Sequence, residues 1–222
     1  GLKDPAYSTH ASFFDYDQDG DLDCYLLNNS VKDPSKIELN QTKREERDPE
    51  GGDKLFRNDT PKEAYPNGKF VFTDVSEATA IYGSAIGFGL GVSVSDVNGD
   101  MLPDIYVSND FWERDYLYIN AGAGKFSEEL PSRFCMISGS SMGADIADIN
   151  NDGAPEIFTT EMLPQDNYRI KTQTRFDEFH LENTKAKASY YYPFLQNCLQ
   201  LNAGDGHFRE IAFIAGVAAT DW

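Results

Sequence analysis

Asp15-Tyr16-Asp17-Gln18-Asp19-Gly20-Asp21-Leu22-Asp23 runs straight into Cys24-Tyr25-Leu26-Leu27, an acidic loop followed by an apolar segment. The pattern returns as Asp96-Val97-Asn98-Gly99-Asp100-Met101-Leu102-Pro103-Asp104 before Ile105-Tyr106-Val107. It returns again as Asp148-Ile149-Asn150-Asn151-Asp152-Gly153-Ala154-Pro155-Glu156 before Ile157-Phe158-Thr159. Positions one, three, five and nine carry a side-chain oxygen in every copy. A hard cation needs such a set, because Ca²⁺ takes six to eight oxygens at about 2.3–2.6 Å. Position seven (Asp21, Leu102 or Ala154) is expected to add its backbone carbonyl. The chain is therefore expected to hold up to three Ca²⁺.

These loops start like EF-hands but do not continue as such. An EF-hand closes with a bidentate Glu at position twelve and lies between helices. Position twelve here is Leu26, Val107 or Thr159, and the segments that follow are β-branched and aromatic, which predicts strands. Asp, Asn and Gly also make ordinary turns. Three aligned copies weigh against that reading for the set.

Composition narrows the classes. The 222 residues are 40% hydrophobic and 13% aromatic, enough for a packed core. Net charge is −18, and the loops hold eleven of the 37 acidic residues; three Ca²⁺ would bring the total to −12. That balance argues against nucleic acid or an anionic membrane as partner, since phosphate binding depends on Lys and Arg. No apolar run approaches the roughly 20 residues of a membrane span, so no membrane insertion is expected, and no signal peptide is visible. The three cysteines, Cys24, Cys135 and Cys198, form no zinc pattern, and Cys24 reads as a small buried hydrophobe. Low-affinity calcium loops suit millimolar Ca²⁺, which places the chain outside the cytoplasm.

Taken in order, Tyr7–Phe14 predicts a strand into the first loop. Residues 31–53, with Lys43-Arg44-Glu45-Glu46-Arg47-Asp48, read as a solvated, partly helical or mobile insertion. Strand signals follow at Lys54–Asn58 and Lys69–Asp74, joined by a turn at Pro66-Asn67-Gly68. A second unit runs through Gly87–Val94, its loop, Ile105–Val107, Asp115–Asn120 and Lys125–Glu128. A third repeats that order through Met142–Ala147, its loop, Ile157–Thr159, Asn197–Asn202 and His207–Glu210. A second polar insertion, 164–192, ends in Tyr190-Tyr191-Tyr192.

The shared Asn-x-Gly-x-Gly-x-Phe echo (Asn120 to Phe126, Asn202 to Phe208) marks a repeat protein. First positions of the loops lie 81 and 52 residues apart, and removing the first insertion leaves a unit of about 50–60 residues. Four short strands plus turns fit that length and make one blade of a β-propeller. The expected fold is all-β: about three four-stranded blades with calcium loops, at 7–80, 81–138 and 139–214, with a further unit starting at 215–222. The first strand and the strand after the loop should form an inner pair, both nearly continuously buried.

The approach Gly87-Phe88-Gly89 followed by Asp-x-Asn-x-Asp-x-x-x-Asp resembles the FG-GAP/VCBS repeats of integrin-α-type propellers. With Thr160–Pro164, Asn202–Phe208 and Gly216–Trp222, the wider pattern resembles secreted bacterial VCBS-repeat proteins of the ASPIC/UnbV type, relatives of cartilage acidic protein. The resemblance covers nearly the whole chain and implies seven blades, calcium loops on one rim, secretion to the cell surface, periplasm or medium, and a role in adhesion. Two departures stand out. Met101 holds position six, usually Gly, so the second loop is expected to bind more weakly or to take a shifted turn. Three blades cannot close a seven-bladed ring, so the remaining blades are expected to come from outside these residues.

No catalytic signature emerges. His10, His180 and His207 are scattered, and neither Gly-x-Ser-x-Gly nor HExxH occurs. Trp112 and Tyr190–Tyr192 either stack on a sugar or protein ligand or pack within and between blades. The favoured function is non-catalytic extracellular recognition of a glycan or protein. The alternative is a scaffold within a larger secreted glycan- or lipid-active enzyme. RNA binding, which the UnbV label suggests, is opposed by charge.

Overall fold

The computed structural model describes residues 2–38, 44–65, 68–173, 183–185 and 187–220. Pro66 and Asn67 of the expected turn, Lys43, His180, Trp222 and part of the second insertion lie outside the described residues. The chain is mostly β. Its first antiparallel sheet joins β1 (Ser8–Phe14), β2 (Asp23–Asn28), β3 (Lys54–Asn58) and β4 (Phe72–Asp74) in that order. The second joins β5 (Gly89–Ser95), β6 (Asp104–Asn109), β7 (Tyr116–Asn120) and β8 (Phe126–Glu128). Next come α1 (Leu130–Arg133) and β9 (Ile137–Ser138). The third sheet is β10 (Gly143–Ala147), β11 (Glu156–Thr160), β13 (Cys198–Asn202) and β14 (Phe208–Glu210). Between its second and third strands lie α2 (Asn167–Gln173) and β12 (Pro193–Phe194), the latter pairing in parallel with β9; α3 (Ala212–Ala215) follows β14. No helix among the described residues is long and apolar enough to cross a membrane.

The sheets pack face to face. Side chains alternate across each strand, so Ile105 and Tyr118 point one way and Tyr106 and Leu117 the other. The first pair meets Tyr25, Leu27 and Leu55 of the first sheet in one core, and the second pair meets Ile157 and Phe208 of the third in another. Full burial of such a side chain contributes about 1.5–3 kcal/mol, so these two cores carry most of the cohesion.

The first strands of the three sheets lie beside one another. Thr9 Oγ1 donates to the Gly89 carbonyl at 2.8 Å, Val92 N–H to His10 Nδ1 at 3.3 Å, and Ser93 Oγ to the Ala144 carbonyl at 2.8 Å. Close approach of neighbouring strands explains Gly89 and Gly91. A Cβ on Gly89 would stand 2.3 Å from Leu27 Cδ1, and one on Gly91 3.1 Å from the Ala144 nitrogen. Here the expected inner pair is corrected. The strands after the loops are buried, but β1 is exposed along most of its length and β10 is half-exposed. A first strand is a sheet edge, and of the three β5 has another first strand on each side.

A buried polar staple closes each sheet at its far end. Asp53 accepts the Asn28 N–H at 2.9 Å and the Tyr25 hydroxyl at 3.0 Å. Asp115 takes the Asn109 N–H at 2.8 Å and the Tyr106 hydroxyl at 2.6 Å. In the third sheet the tyrosine has become Phe158 and the acid Asn197, whose Oδ1 accepts the Glu161 N–H at 2.7 Å. Losing the hydroxyl donor and losing the charge go together, as a buried carboxylate demands.

Antiparallel strands alternate in direction, so all second-to-third connections leave from the end opposite the acidic loops. The first insertion is more tightly held than a solvated segment would be. Arg44 is buried, its Nε 2.6 Å from Glu113 Oε1 and its Nη2 3.1 Å from the Ser189 carbonyl. Trp112 Nε1 donates to the Pro34 carbonyl at 2.9 Å. Residues of both insertions thus meet on the 110–115 connection, whose ion pair offsets the desolvation of its members.

Burial raises the Asp53 carboxyl from 3.8 to about 7. The folded chain therefore holds that proton more tightly than the unfolded chain, and Asp53 makes stability fall as pH rises from about 4 to about 7. Asp53→Asn, which copies Asn197, should flatten that slope by on the order of a few kcal/mol across the window. Thermal melts at fixed saturating Ca²⁺ between pH 4 and 7.5 check this; a slope unchanged from the parent's contradicts it.

Candidate metal-binding loops and an aromatic cavity

The three acidic loops share one internal wiring. At position one, Asp15 accepts the N–H groups of Asp19 and Gly20 at 3.1 and 3.0 Å. Asp96 does the same for Asp100 and Met101 at 3.2 and 2.7 Å, and Asp148 for Asp152 and Gly153 at 3.1 and 2.9 Å. The position-five carboxylates of Asp19, Asp100 and Asp152 accept the N–H of position seven, from Asp21, Leu102 and Ala154. Position nine is buried. Asp23 takes the N–H of Tyr16 at 3.2 Å and of Asn58 at 2.8 Å, and Asp104 those of Val97 and Asn120 at 2.9 and 2.8 Å. Glu156 takes the Ile149 N–H at 3.0 Å. Burial pushes the Asp23 and Asp104 carboxyls up to about 6.

The first loop meets the demands of a divalent cation on its own geometry. Asp15, Asp17 and Asp19 each bring a carboxylate oxygen within 4.8 Å of the others. Asp17 Oδ1 and Asp21 Oδ1 are buried without a hydrogen-bond partner among the described residues. Burial and then the neighbouring acids, Asp19 foremost, push both carboxyls up. Converging anions with unused lone pairs favour a hard cation. In the other loops the position-three amides of Asn98 and Asn150 donate to Asp100 and Asp152 at 2.9 Å. Their amide oxygens supply the equivalent acceptor with one charge fewer.

The second loop keeps the same turn despite Met101. Position six has positive φ in every copy, at 93° for Gly20, 67° for Met101 and 89° for Gly153. So does position four, at 60° for Gln18, 79° for Gly99 and 61° for Asn151. The expected shifted turn is not found. The second loop has moved its glycine to position four, and Met101 bears the left-handed backbone with its side chain 82% exposed.

At the insertion end, Phe111, Trp112, Ile170, Tyr192 and Phe194 line a cavity of about 810 Å³, with Ser140, Lys185 and Gln196 as polar wall. Lys185 Nζ lies 4.5 Å over the Trp112 ring. The aromatic run divides. Tyr190 is buried, and the half-buried Tyr191 donates its hydroxyl to the Phe134 carbonyl, so these two pack inside. Trp112 and Tyr192 face the cavity. Of the histidines, His10 joins two strands and His207 is exposed beside Asp205. Cys24 and Cys198 are buried with their thiols pushed up, the former to about 11.

Two carboxyls escaped the sequence reading. Asp110 and Glu161 stand one residue beyond β6 and β11, and burial raises both. Asp110 accepts the N–H of Phe111, a cavity residue, at 2.7 Å, and Glu161 Oε2 is buried without a partner among the described residues. Their shared place after the post-loop strand was the available signal.

Comparison with known families matches residues 96–159 to the FG-GAP-like repeat. That span runs from the first residue of the second loop to the strand after the third, so this part of the chain is similar to an FG-GAP-like repeat. No curated protein matches the chain.

A left-handed backbone costs a non-glycine residue about 1 kcal/mol, and the exposed Met101 side chain offsets none of it. Met101→Gly should therefore stabilise the protein by up to about 1 kcal/mol, read as a higher Tm at saturating Ca²⁺. A lower Tm would show that Met101 makes a contact the turn geometry does not account for.

Proposed function

We propose that this chain is part of a calcium-stabilised, seven-bladed β-propeller of the ASPIC/UnbV type that acts outside the cell as a non-catalytic recognition module for a glycan or protein. The observation that carries the reading is the convergence of Asp15, Asp17 and Asp19 around unpartnered oxygens. The adjoining first strands, the FG-GAP-like repeat and the −18 charge support it. Asp15, Asp17, Asp19, Asp21 and Asp23 would hold the first ion. Asp96, Asn98, Asp100, Leu102 and Asp104 would hold the second, and Asp148, Asn150, Asp152, Ala154 and Glu156 the third. The ions would supply no chemistry beyond pinning each loop, leaving the opposite end free for ligand. There the face of a sugar ring can stack on Trp112 or Tyr192 while Gln196 and Ser140 reach its hydroxyls.

A second reading, a glycan-active enzyme scaffold, draws on Asp110 and Glu161. Raised carboxyls beside an aromatic cavity are the equipment of acid–base work. Turnover of a glycan panel by the parent but not by Glu161→Gln would favour it.

The recognition reading is tested by a glycan array probed with the parent and with Trp112→Ala. Binding by the parent and its loss in the folded variant are expected. Retained binding would move the ligand site elsewhere, and no binding would leave the protein arm. The calcium part is checked separately. A ligand at 100 times its Kd stabilises the folded state by about 2.7 kcal/mol. Asp19→Ala should lose most of the first ion's share of the Tm rise on adding Ca²⁺; a rise equal to the parent's contradicts the ligand assignment.

A further inference from the structure

The second acidic loop carries its glycine at position four rather than six, which sets Gly99 directly after Asn98, the position-three amide. In the other loops Gln18 follows Asp17 and Asn151 follows Asn150. Asn98 and Gly99 are both exposed, and no atom lies within 4 Å of where a Cβ on Gly99 would stand. An asparagine followed by glycine can react with its own backbone, because no side chain shields the glycine nitrogen. Asn150 lacks that freedom, since the Asn151 side chain crowds the nitrogen that would attack.

The closed loop holds both reactants away from that reaction. Gly99 N–H donates to Asp96 Oδ1 at 2.7 Å, which engages the attacking nitrogen. Asn98 Oδ1 accepts the Asp100 N–H at 3.0 Å, and its Nδ2 donates to Asp100 Oδ2 at 2.9 Å, so the amide is tied at both ends. Cyclisation therefore requires the loop to open and these bonds to break. Exposed loops open locally at far lower cost than buried strands. A cation held by Asp96, Asn98 and Asp100 would bind the closed loop alone and suppress the opening by mass action.

We propose that Asn98 is a self-modification site, deamidated through the Gly99 nitrogen and gated by calcium at the second loop. The gating rests on the calcium reading above. The Gly99 nitrogen attacks Asn98 Cγ to form a five-membered cyclic imide. The side-chain nitrogen leaves as ammonia, taking the proton that Gly99 gives up. Water then adds to one imide carbonyl, breaks its C–N bond and leaves a carboxylate there. The net change is loss of ammonia, gain of water and one added negative charge. Opening at Cγ leaves an aspartate in an intact backbone. Beside Asp96 and Asp100 it would repeat the Asp15, Asp17 and Asp19 set, and ligand charge tunes affinity. Opening at the backbone carbonyl leaves isoaspartate, which routes the chain through Cγ and lengthens the loop by one atom. The first product strengthens the site and the second disrupts it.

Peptide mapping by mass spectrometry tests it, on the full chain incubated at mildly alkaline pH with chelator or with graded Ca²⁺. Circular dichroism verifies that each sample is folded. Conversion at position 98 should slow as Ca²⁺ rises, about tenfold at ten times the site's Kd. Asp96→Ala frees the Gly99 N–H and removes a ligand while the other two loops stay loaded. In Ca²⁺ it should convert Asn98 faster than the parent does, which keeps the test alive where the chelated parent unfolds. Asn98→Gln should resist conversion. A rate that Ca²⁺ does not change, in protein that binds the ion by calorimetry, overturns this inference and leaves the calcium reading standing; no ion uptake overturns both. Asp96→Ala converting no faster than the parent in Ca²⁺ also overturns it, as does a chelated, folded chain that stays unmodified where the denatured chain converts.

Discussion

A buried carboxylate at the ninth position of each acidic loop is the constraint on which the structure depends. Asp23 joins the start of its loop, through the Tyr16 N–H, to the end of the third strand, through the Asn58 N–H. Asp104 does the same between Val97 and Asn120. One side chain thus sets the loop's curvature, the register of two strands and the height at which position two emerges. Because Tyr16 and Val97, at position two of the first two loops, pack into the following sheet, local loop geometry becomes the spacing between sheets. The cost is a carboxylate held out of water, visible as the rise of Asp23 and Asp104 to about 6. A divalent cation beside that carboxylate would favour its charged form and offset the cost.

The two ends of the array have separate tasks. Loops with short, repeated hydrogen bonds occupy one end and leave little freedom for variation. The opposite end carries the connections of unequal length, and there the chain departs from its repeat: the Arg44–Glu113 ion pair, the stacked Lys185 and Trp112, and the aromatic cavity. Variation at one end of a rigid scaffold is where binding surfaces are built. Phe158 and Asn197 show the staple at this end changing as a matched pair.

Much of this was legible in the residues. The loops announce themselves by oxygen spacing, and the strands after them by β-branched and aromatic runs, so β2, β6 and β11 fall where the pattern put them. The burial of the first strands was not legible, because Tyr7–Phe14 has an apolar end whether it faces a neighbour or solvent. Nor was the fate of Tyr190 and Tyr192: of two identical side chains two residues apart, the first is buried near the Arg44–Glu113 pair and the second lines the cavity with Trp112. Arg44 sits in a run of charges that reads as solvated, and only its distant partner Glu113 draws it inside. Met101 was read as an obstacle because position four, the loop's other left-handed residue, has no signature as plain as glycine at six.

Calorimetric titration of chelator-stripped protein with Ca²⁺ tests the central claim most directly. The account predicts about three ions per chain, with the tightest site lost in a first-loop variant. No heat of binding and no ion uptake would mean that the loops are held by their own hydrogen bonds alone, and the buried carboxylates would need another source of stabilisation.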